Sequence, residues 1–394
     1  MSEEKRRVYL DHNATTYMRQ EVIDAMLPYF RGSFGNASSL HFFGYENRDM
    51  VEEARSRVAD LIGADPEEVY FTSGGTESDN IAIQGVVNAA RSKGKGCHVV
   101  TSVTEHPAVL RTCEALKDGG CDVTFVGSTT EGTVRLDELK GAIRPETLLV
   151  SVMLANNETG VIQPIEEISR ITRKAKVLLH TDAVQGVGKI PVDVERLGVD
   201  LLSISAHKFY GPKGIGALYV RRGTDVEPVY RGGGHENGLR PGTLNVPGIV
   251  GFGEACRISK KELPSEMKRI EELRNHLEKE VREQIDDLIF SGTGAPRVPN
   301  TSNIAVPHIE GEAITLNLSM LGFAVSSGSA CASGGSEASH VLVSMGLDPS
   351  DAQGSVRISL GIENTKEDVD AFVEAFAAAV DRLRKLSPLG KHHT

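Results

Sequence analysis

Residues 201–214 read LLSISAHKFYGPKG, and the first five of them set the fold. Leu201–Ser205 is a short apolar run that ends in polar residues and a Gly-Pro turn, the pattern of a strand buried on both faces of a mostly parallel sheet. Comparable runs stand at Val69–Thr72, His98–Ser102, Leu148–Met153, Val177–Asp182 and Ile215–Val220, alternating with amphipathic helical stretches from about Glu21 to Val250. The expectation is an α/β fold. Sheets of this kind bind ligands beyond the carboxyl ends of their strands, so the loops after these runs are where chemistry should lie.

After Phe252 the pattern changes. Met267, Ile270, Leu273, Leu277, Val281 and Ile285 recur at helical spacing and predict one long amphipathic helix just past Pro264. Short strands are expected near Thr301–Val306 and Val356–Leu360. A last helix should begin at the Thr365–Asp368 capping pattern, with Val369, Phe372, Phe376, Val380 and Leu383 on one face. We therefore expect a large domain over 16–259 and a smaller α+β domain over 260–394, joined by the N-terminal residues 1–15.

Composition narrows the function. A chain of 394 residues with net charge −11 is not a general nucleic-acid binder. No apolar run approaches the roughly 18–20 residues that span a bilayer, and Met1–Val8 lacks the apolar stretch of a signal peptide. The five cysteines, at 97, 113, 121, 256 and 331, contain no CxxC pair. That argues against a disulfide framework or a zinc ribbon, and for a reducing cytoplasm without a metal site.

Five segments could carry chemistry. In TSGGTESDN (Thr72–Asn80), Gly75 and Thr76 stand between a strand and a helix, where free N–H groups and the positive dipole end suit a phosphate; an ordinary capped turn explains them too. Lys208, where the strand Leu201–Ser205 opens into a loop, is either a solvated charge or an amine placed to form a Schiff base. Ser205 and His207 beside it could hold an anion. Asp182 ends an apolar strand and needs a partner: a protonated pyridine nitrogen, a helix N-terminus or a structural cation. The interval of about 26 residues from Asp182 to Lys208 fits neighbouring strands joined by a crossover. His106 could stack on a flat ring, and Asn157 and Gln185 could bond ring substituents; as isolated residues they equally suit structural roles. Arg357, inside the strand pattern VRISL, demands an anion, either a substrate carboxylate or a structural one. Cys331 lies in SSGSACASGG amid Ser, Gly and Ala, unlike Cys256 on an apolar helix face. Cys97, Cys113 and Cys121 read as structural or incidental.

Taken together, YLDHNATT (Tyr9–Thr16), FGNASS, FTSGGTESDN, TEHPAV, NNETG, TDAVQ, SAHKFYGPKGIGALYVR, GGGHENGLRPGT and SSGSAC resemble the cysteine desulfurases of the NifS/IscS type. These belong to the class-V aminotransferase branch of the fold-type I pyridoxal-phosphate enzymes. The likeness covers nearly the whole chain, to LSPL at Leu386–Leu389. It implies a large domain with a seven-stranded, mostly parallel sheet. It also implies that Lys208 binds pyridoxal 5′-phosphate covalently, and that Gly75, Thr76, Ser205 and His207 take the phosphate. By the same resemblance His106 stacks on the ring, Asp182 pairs with its nitrogen, and Asn157 and Gln185 contact it. Thr243 in RPGT would reach the phosphate of a second subunit, implying a homodimer. Arg357, with Asn157, would hold the carboxylate of L-cysteine. Cys331 would take the sulfur as a persulfide and pass it to an acceptor such as an iron–sulfur scaffold protein. Gly75 and Pro241 replace residues common in the family (SGATE, RSGT), but backbone groups or the retained threonines can make those contacts. A selenocysteine lyase or an aminotransferase of the same fold would not need Cys331, and a non-catalytic scaffold would not need Lys208 and Asp182.

Overall fold

The computed structural model describes residues 7–328 and 338–386. Thirteen strands are described, beginning with β1 (Val8–Tyr9), β2 (Val69–Thr72), β3 (His98–Ser102), β4 (Asp122–Val126), β5 (Thr147–Ser151), β6 (Leu178–Asp182), β7 (Leu201–Ser205) and β8 (Gly216–Val220). They continue with β9 (Ile289–Phe290), β10 (Thr301–Ala305), β11 (Phe323–Ala324), β12 (Ser326–Ser327) and β13 (Ser355–Ser359). Seven of them form one sheet in the order β2-β8-β7-β6-β5-β3-β4. Only β8 runs against its neighbours. The expected mostly parallel sheet is therefore present, with β4 added at an edge. Its half-exposed residues lack the unbroken apolar run by which the central strands are read.

Alternate residues of the central strands enter two separate apolar clusters. Val100, Val150, Leu179 and Leu202 face one layer, while Val99, Leu149 and Leu201 face the other. That two-sided burial is why these segments carry no polar alternation. The helices Gly75–Ser92 and Pro107–Asp118 cover one face, and Phe42–Ile62 and Ile165–Ala175 the other.

A second core surrounds the antiparallel sheet β12-β13-β10-β9, with Ile304, Val356, Ile358, Phe372 and Phe376 at its centre. β1 pairs with β11, and Val8 and Leu10 join this second core. The last helix, Lys366–Leu386, starts at the expected reciprocal cap: Thr365 N–H donates to Asp368, and Asp368 N–H to the Thr365 hydroxyl.

Two expectations need correction. The long helix does not begin past Pro264. It spans Val246–Gln284, 39 residues, with Pro264 inside. The missing N–H of a mid-helix proline is costly, but here both halves of the helix are anchored. Ile249, Phe252 and Cys256 are in the first core, and Ile270, Leu277 and Val281 in the second. The proposed domain boundary at 259/260 falls inside this helix, between the two sets. Second, Cys97 and Cys121 are joined as a disulfide. The register of β3 on β4 places His98 opposite Asp122 and so brings the preceding cysteines together. Spacing along the chain carries no trace of that.

Phe372 is fully buried, stacks on Phe376 with centroids 5.6 Å apart, and meets Phe323 edge-on. Phe372→Ala should therefore cost about 3–5 kcal/mol through lost transfer energy and a residual cavity. The check is the chemical-denaturation midpoint of the transition that reports the second core.

Candidate active site

The carboxyl ends of β2, β3, β5, β6 and β7 open on one cavity of about 370 Å³. Gly75, Thr76, His106, Asn157, Asp182, Gln185, Ser205, His207, Lys208 and Arg357 all line it, from positions nearly 300 residues apart in the chain. Parallel strands ending at one edge make that convergence possible. Thr243 is exposed and is not among the residues lining this cavity. Cys331, with Gly334 and Gly335, lies outside the described residues.

Lys208 sits in a short 3-10 turn, Ala206–Lys208, directly after β7. Its ammonium donates to the carbonyls of Asn13 (2.6 Å) and Ala14 (2.8 Å). Asp182 ends β6, and its Oδ1 accepts from the Val184 N–H at 2.9 Å. Burial raises its carboxyl pKa, while the nearby His106 and Lys208 work in the opposite direction. Among the described residues no cation forms an ion pair with Asp182.

His106 N-caps the helix Pro107–Asp118, its Nδ1 accepting from the Ala108 N–H at 3.1 Å. Burial lowers its pKa and keeps the ring neutral. His207 is likewise lowered, to about 4, by burial and then by Lys208 and Lys213, and its Nδ1 meets the Thr15 hydroxyl at 3.1 Å.

The helix Gly75–Ser92 begins after Gly74, which has φ +151° and no side chain to cap the first turn. An uncapped helix start with Thr76, Ser205 and His207 around it is a donor set for a phosphate. An amine, a buried carboxylate without a cation and a phosphate cradle on one cavity wall fit pyridoxal phosphate.

Arg357 is on β13, opposite Asn303 and Ser326. Of the two partners left open by the sequence, the structure supplies a structural one: Nη2 pairs with Asp11 at 2.7 Å, and Nη1 donates to the Asn157 carbonyl at 3.1 Å. Among the described residues its buried Nε has no partner. Gln185 is also engaged, donating to the Asn13 carbonyl (2.9 Å) and accepting from Lys189 (2.5 Å).

Asn13, Asp79, Glu105 and Lys189 were not singled out in the sequence. Asn13 lies in YLDHNATT, and a motif of that kind is the only signal that could have found it. Lys189 is buried and donates to Asn13 Oδ1 at 2.7 Å; burial, Lys208 and Arg357 push its pKa well below the usual lysine value. Among the described residues no group of three or more His, Cys, Asp or Glu side chains could hold a metal ion, and no helix is long and apolar enough to cross a membrane.

A profile of the class-V aminotransferase family matches residues 8–372. The chain is 48% identical over 384 residues to "Cysteine desulfurase IscS" of Dictyoglomus turgidum, covering 98% of this chain and 97% of that one. It is 46% identical to the protein of the same name from Methanosarcina thermophila, covering 99% and 96%. Among solved structures, a "NifS-like protein" superposes with a TM-score of 0.89 at 40% identity, covering 96% of this chain and all of that one. DndA of Streptomyces lividans gives 0.74 at 38%, covering 89% and 99%.

Asn13 holds this cleft together, accepting from Lys189 and Asn300 at Oδ1 and donating to Thr301 and the Asn157 carbonyl. Asn13→Ala leaves several of these buried groups unpaired, at about 1–3 kcal/mol each. We expect a clearly lower urea midpoint; an unchanged one would show the hub to be incidental.

Proposed function

The chain belongs to the class-V aminotransferase family, and from that membership and the cleft we infer that it is a pyridoxal-phosphate-dependent cysteine desulfurase. It takes sulfur from L-cysteine and leaves alanine. The observation that carries this reading is Lys208 and Asp182 on one cavity wall with the uncapped start of the helix Gly75–Ser92.

Each residue then has a task. Lys208 holds the cofactor covalently, and Gly75, Thr76, Ser205 and His207 take its phosphate. Asp182 faces the ring nitrogen, a cationic partner that would restore the ionisation which burial opposes. His106 lies against the ring, and Asn157 and Gln185 bond its substituents. Arg357 takes the substrate carboxylate. When bound, the cofactor supplies an electron sink for the α-carbon. Lys208 would also be the group that carries the proton of that carbon.

Sulfur needs a thiol to accept it. Cys97 and Cys121 are paired with each other. Cys113 and Cys256 are buried, and burial pushes Cys113 up to about 12 and Cys256 well above its usual value. Neither is a thiolate at neutral pH. That leaves Cys331, five residues beyond Ser326, which lines the cavity; the chain between them spans at most about 18 Å. We assign Cys331 the transfer in which the thiol and L-cysteine become a persulfide and alanine. The Cβ–S bond of the substrate breaks, an S–S bond forms on Cys331, and its proton balances the product. An iron–sulfur scaffold protein is the acceptor that the family resemblance suggests.

The same reading calls for a homodimer. Phe30, Phe34, Leu40 and Phe42 are 64–82% exposed, large apolar side chains that a second copy would cover. Thr243 is also exposed and would complete the phosphate site of the second copy.

Lys208→Ala should abolish the visible absorbance of covalently bound cofactor and all alanine release. Dialysed variant that keeps both would refute the assignment. Cys331→Ser should load cofactor normally but release alanine at least about 100-fold more slowly, since a hydroxyl cannot accept sulfur as a persulfide. Mass spectrometry of wild-type protein after L-cysteine treatment should place the added sulfur on Cys331; sulfur on Cys113 or Cys256 instead would overturn this.

A further inference from the structure

The wall that carries Asp182 holds a second carboxyl group that the proposed reaction does not use. Asp79 stands early on the helix Gly75–Ser92, lines the same cavity, and is 1% exposed. Among the described residues no well-aligned hydrogen bond reaches either oxygen, and the Ser203 hydroxyl, the one polar group that favours its ionised form, is shared with His180. The nearest base, His180 Nε2, is 3.6 Å from Oδ1 but is committed elsewhere. Its Nε2 meets the Ser203 hydroxyl at 3.0 Å and its Nδ1 the Ser151 hydroxyl at 2.8 Å. Burial holds that imidazole down at about 3, so it is neutral and supplies no counter-charge.

Glu105 is a third buried carboxyl group within electrostatic reach. Its Oε1 accepts from the Met153 N–H at 2.9 Å and its Oε2 has no partner. Burial raises Asp79 well above the usual carboxylate range, and Asp182 and Glu105 add to that; only the Ser203 hydroxyl works against it. Burial and Asp182 raise Glu105 in the same direction. Three ionised carboxylates in one dry wall would far outweigh any hydrogen bond available there. The wall can keep one charge, and Asp182 is the group equipped to hold it. It alone has the Val184 N–H together with His106 and Lys208 nearby.

We propose that Asp79 is a positioning residue for Asp182: it stays protonated, and so leaves the wall's single negative charge on Asp182, toward the cofactor's ring nitrogen. This rests on the pyridoxal-phosphate reading above. A neutral acid beside Asp182 also presents a dipole to its carboxylate, which an apolar residue would not.

Two measurements test it. In the cofactor-free full-length protein at neutral pH, infrared spectroscopy should find the carbonyl stretch of a protonated carboxylic acid that disappears in Asp79→Asn. Glu105→Gln should remove a different band. In the loaded enzyme, the pH titration of the bound cofactor's visible absorbance should be unmoved by Asp79→Asn, whose amide is neutral like the acid. Asp79→Ala should shift its midpoint by about half a unit, roughly threefold in the proton equilibrium. An infrared spectrum unchanged in Asp79→Asn would overturn the proposal. So would a midpoint that Asn shifts as far as Ala, or one that Ala leaves in place. The infrared result needs no cofactor, so failure of the pyridoxal-phosphate reading would leave it intact and be told apart from failure at Asp79.

Discussion

Every hydrogen-bonding group of Asn13 is engaged, and its partners come from both cores. Its N–H donates to Ser359 and its side-chain amide to Thr301 and Asn157. Its carbonyl accepts from Gln185 and Lys208, and its Oδ1 from Lys189 and Asn300. The first core supplies Asn157, Gln185, Lys189 and Lys208, and the second supplies Asn300, Thr301 and Ser359. A buried asparagine satisfied on every side is rigid, because moving any partner leaves a polar group without water or protein to bond. One residue thus fixes the relation of Lys208, in the turn after β7, to Arg357, on β13, through a chain of short contacts.

The same economy governs the charges. Strands buried on both faces have no polar outlet along their length, so charged side chains gather where the strands end. There Asp79, Asp182, Lys208 and Arg357 line one cavity, with the buried Lys189 and Glu105 within electrostatic reach. Burial disfavours the charges of Lys189, Asp79, Glu105 and Asp182, and the site resolves the conflict by neutralising some and pairing others. Asp79 and Glu105 are driven toward the acid and Lys189 toward the amine. Shifts of this kind at one cleft are the physical mark of a site built for proton transfer.

How much of this could be read from the chain follows from the range of the forces involved. Lys208 and Asp182 were legible because each follows an unbroken apolar run, and a charge at the end of a buried strand needs an explanation of its own. The helix cap at Thr365 and Asp368 was legible because both partners lie within one turn. Asp79 was not, since TESDN reads as a solvated helix start until β6 and β7 are packed behind it. Lys189 looks like any surface lysine in GKIPVD. The Cys97–Cys121 pair depends on the register of β3 against β4, and the helix through Pro264 on two separate cores holding its ends. In each case the deciding contact is distant in sequence and leaves no local pattern.

Arg357 shows what such distant contacts do to function. A guanidinium buried alone would bind any carboxylate tightly, but it would also destabilise the empty cleft. Asp11 removes that penalty by pairing with Nη2 at 2.7 Å, and the Asn157 carbonyl takes Nη1. The unpartnered Nε is the donor left over. A substrate carboxylate therefore either adds to an arginine already held in place or exchanges with Asp11. Addition gains a charge-assisted bond without the cost of ordering the side chain. Exchange returns only the difference between two carboxylates, which is small. Asp11 belongs to the N-terminal segment that bridges to Ser359 at the end of β13. Exchange at Arg357 would thus release a carboxylate on the chain that leads, two residues later, to Asn13 and the carbonyl that holds Lys208. On the proposed assignment, the group that would recognise the substrate and the lysine that would act on it are joined through that short stretch.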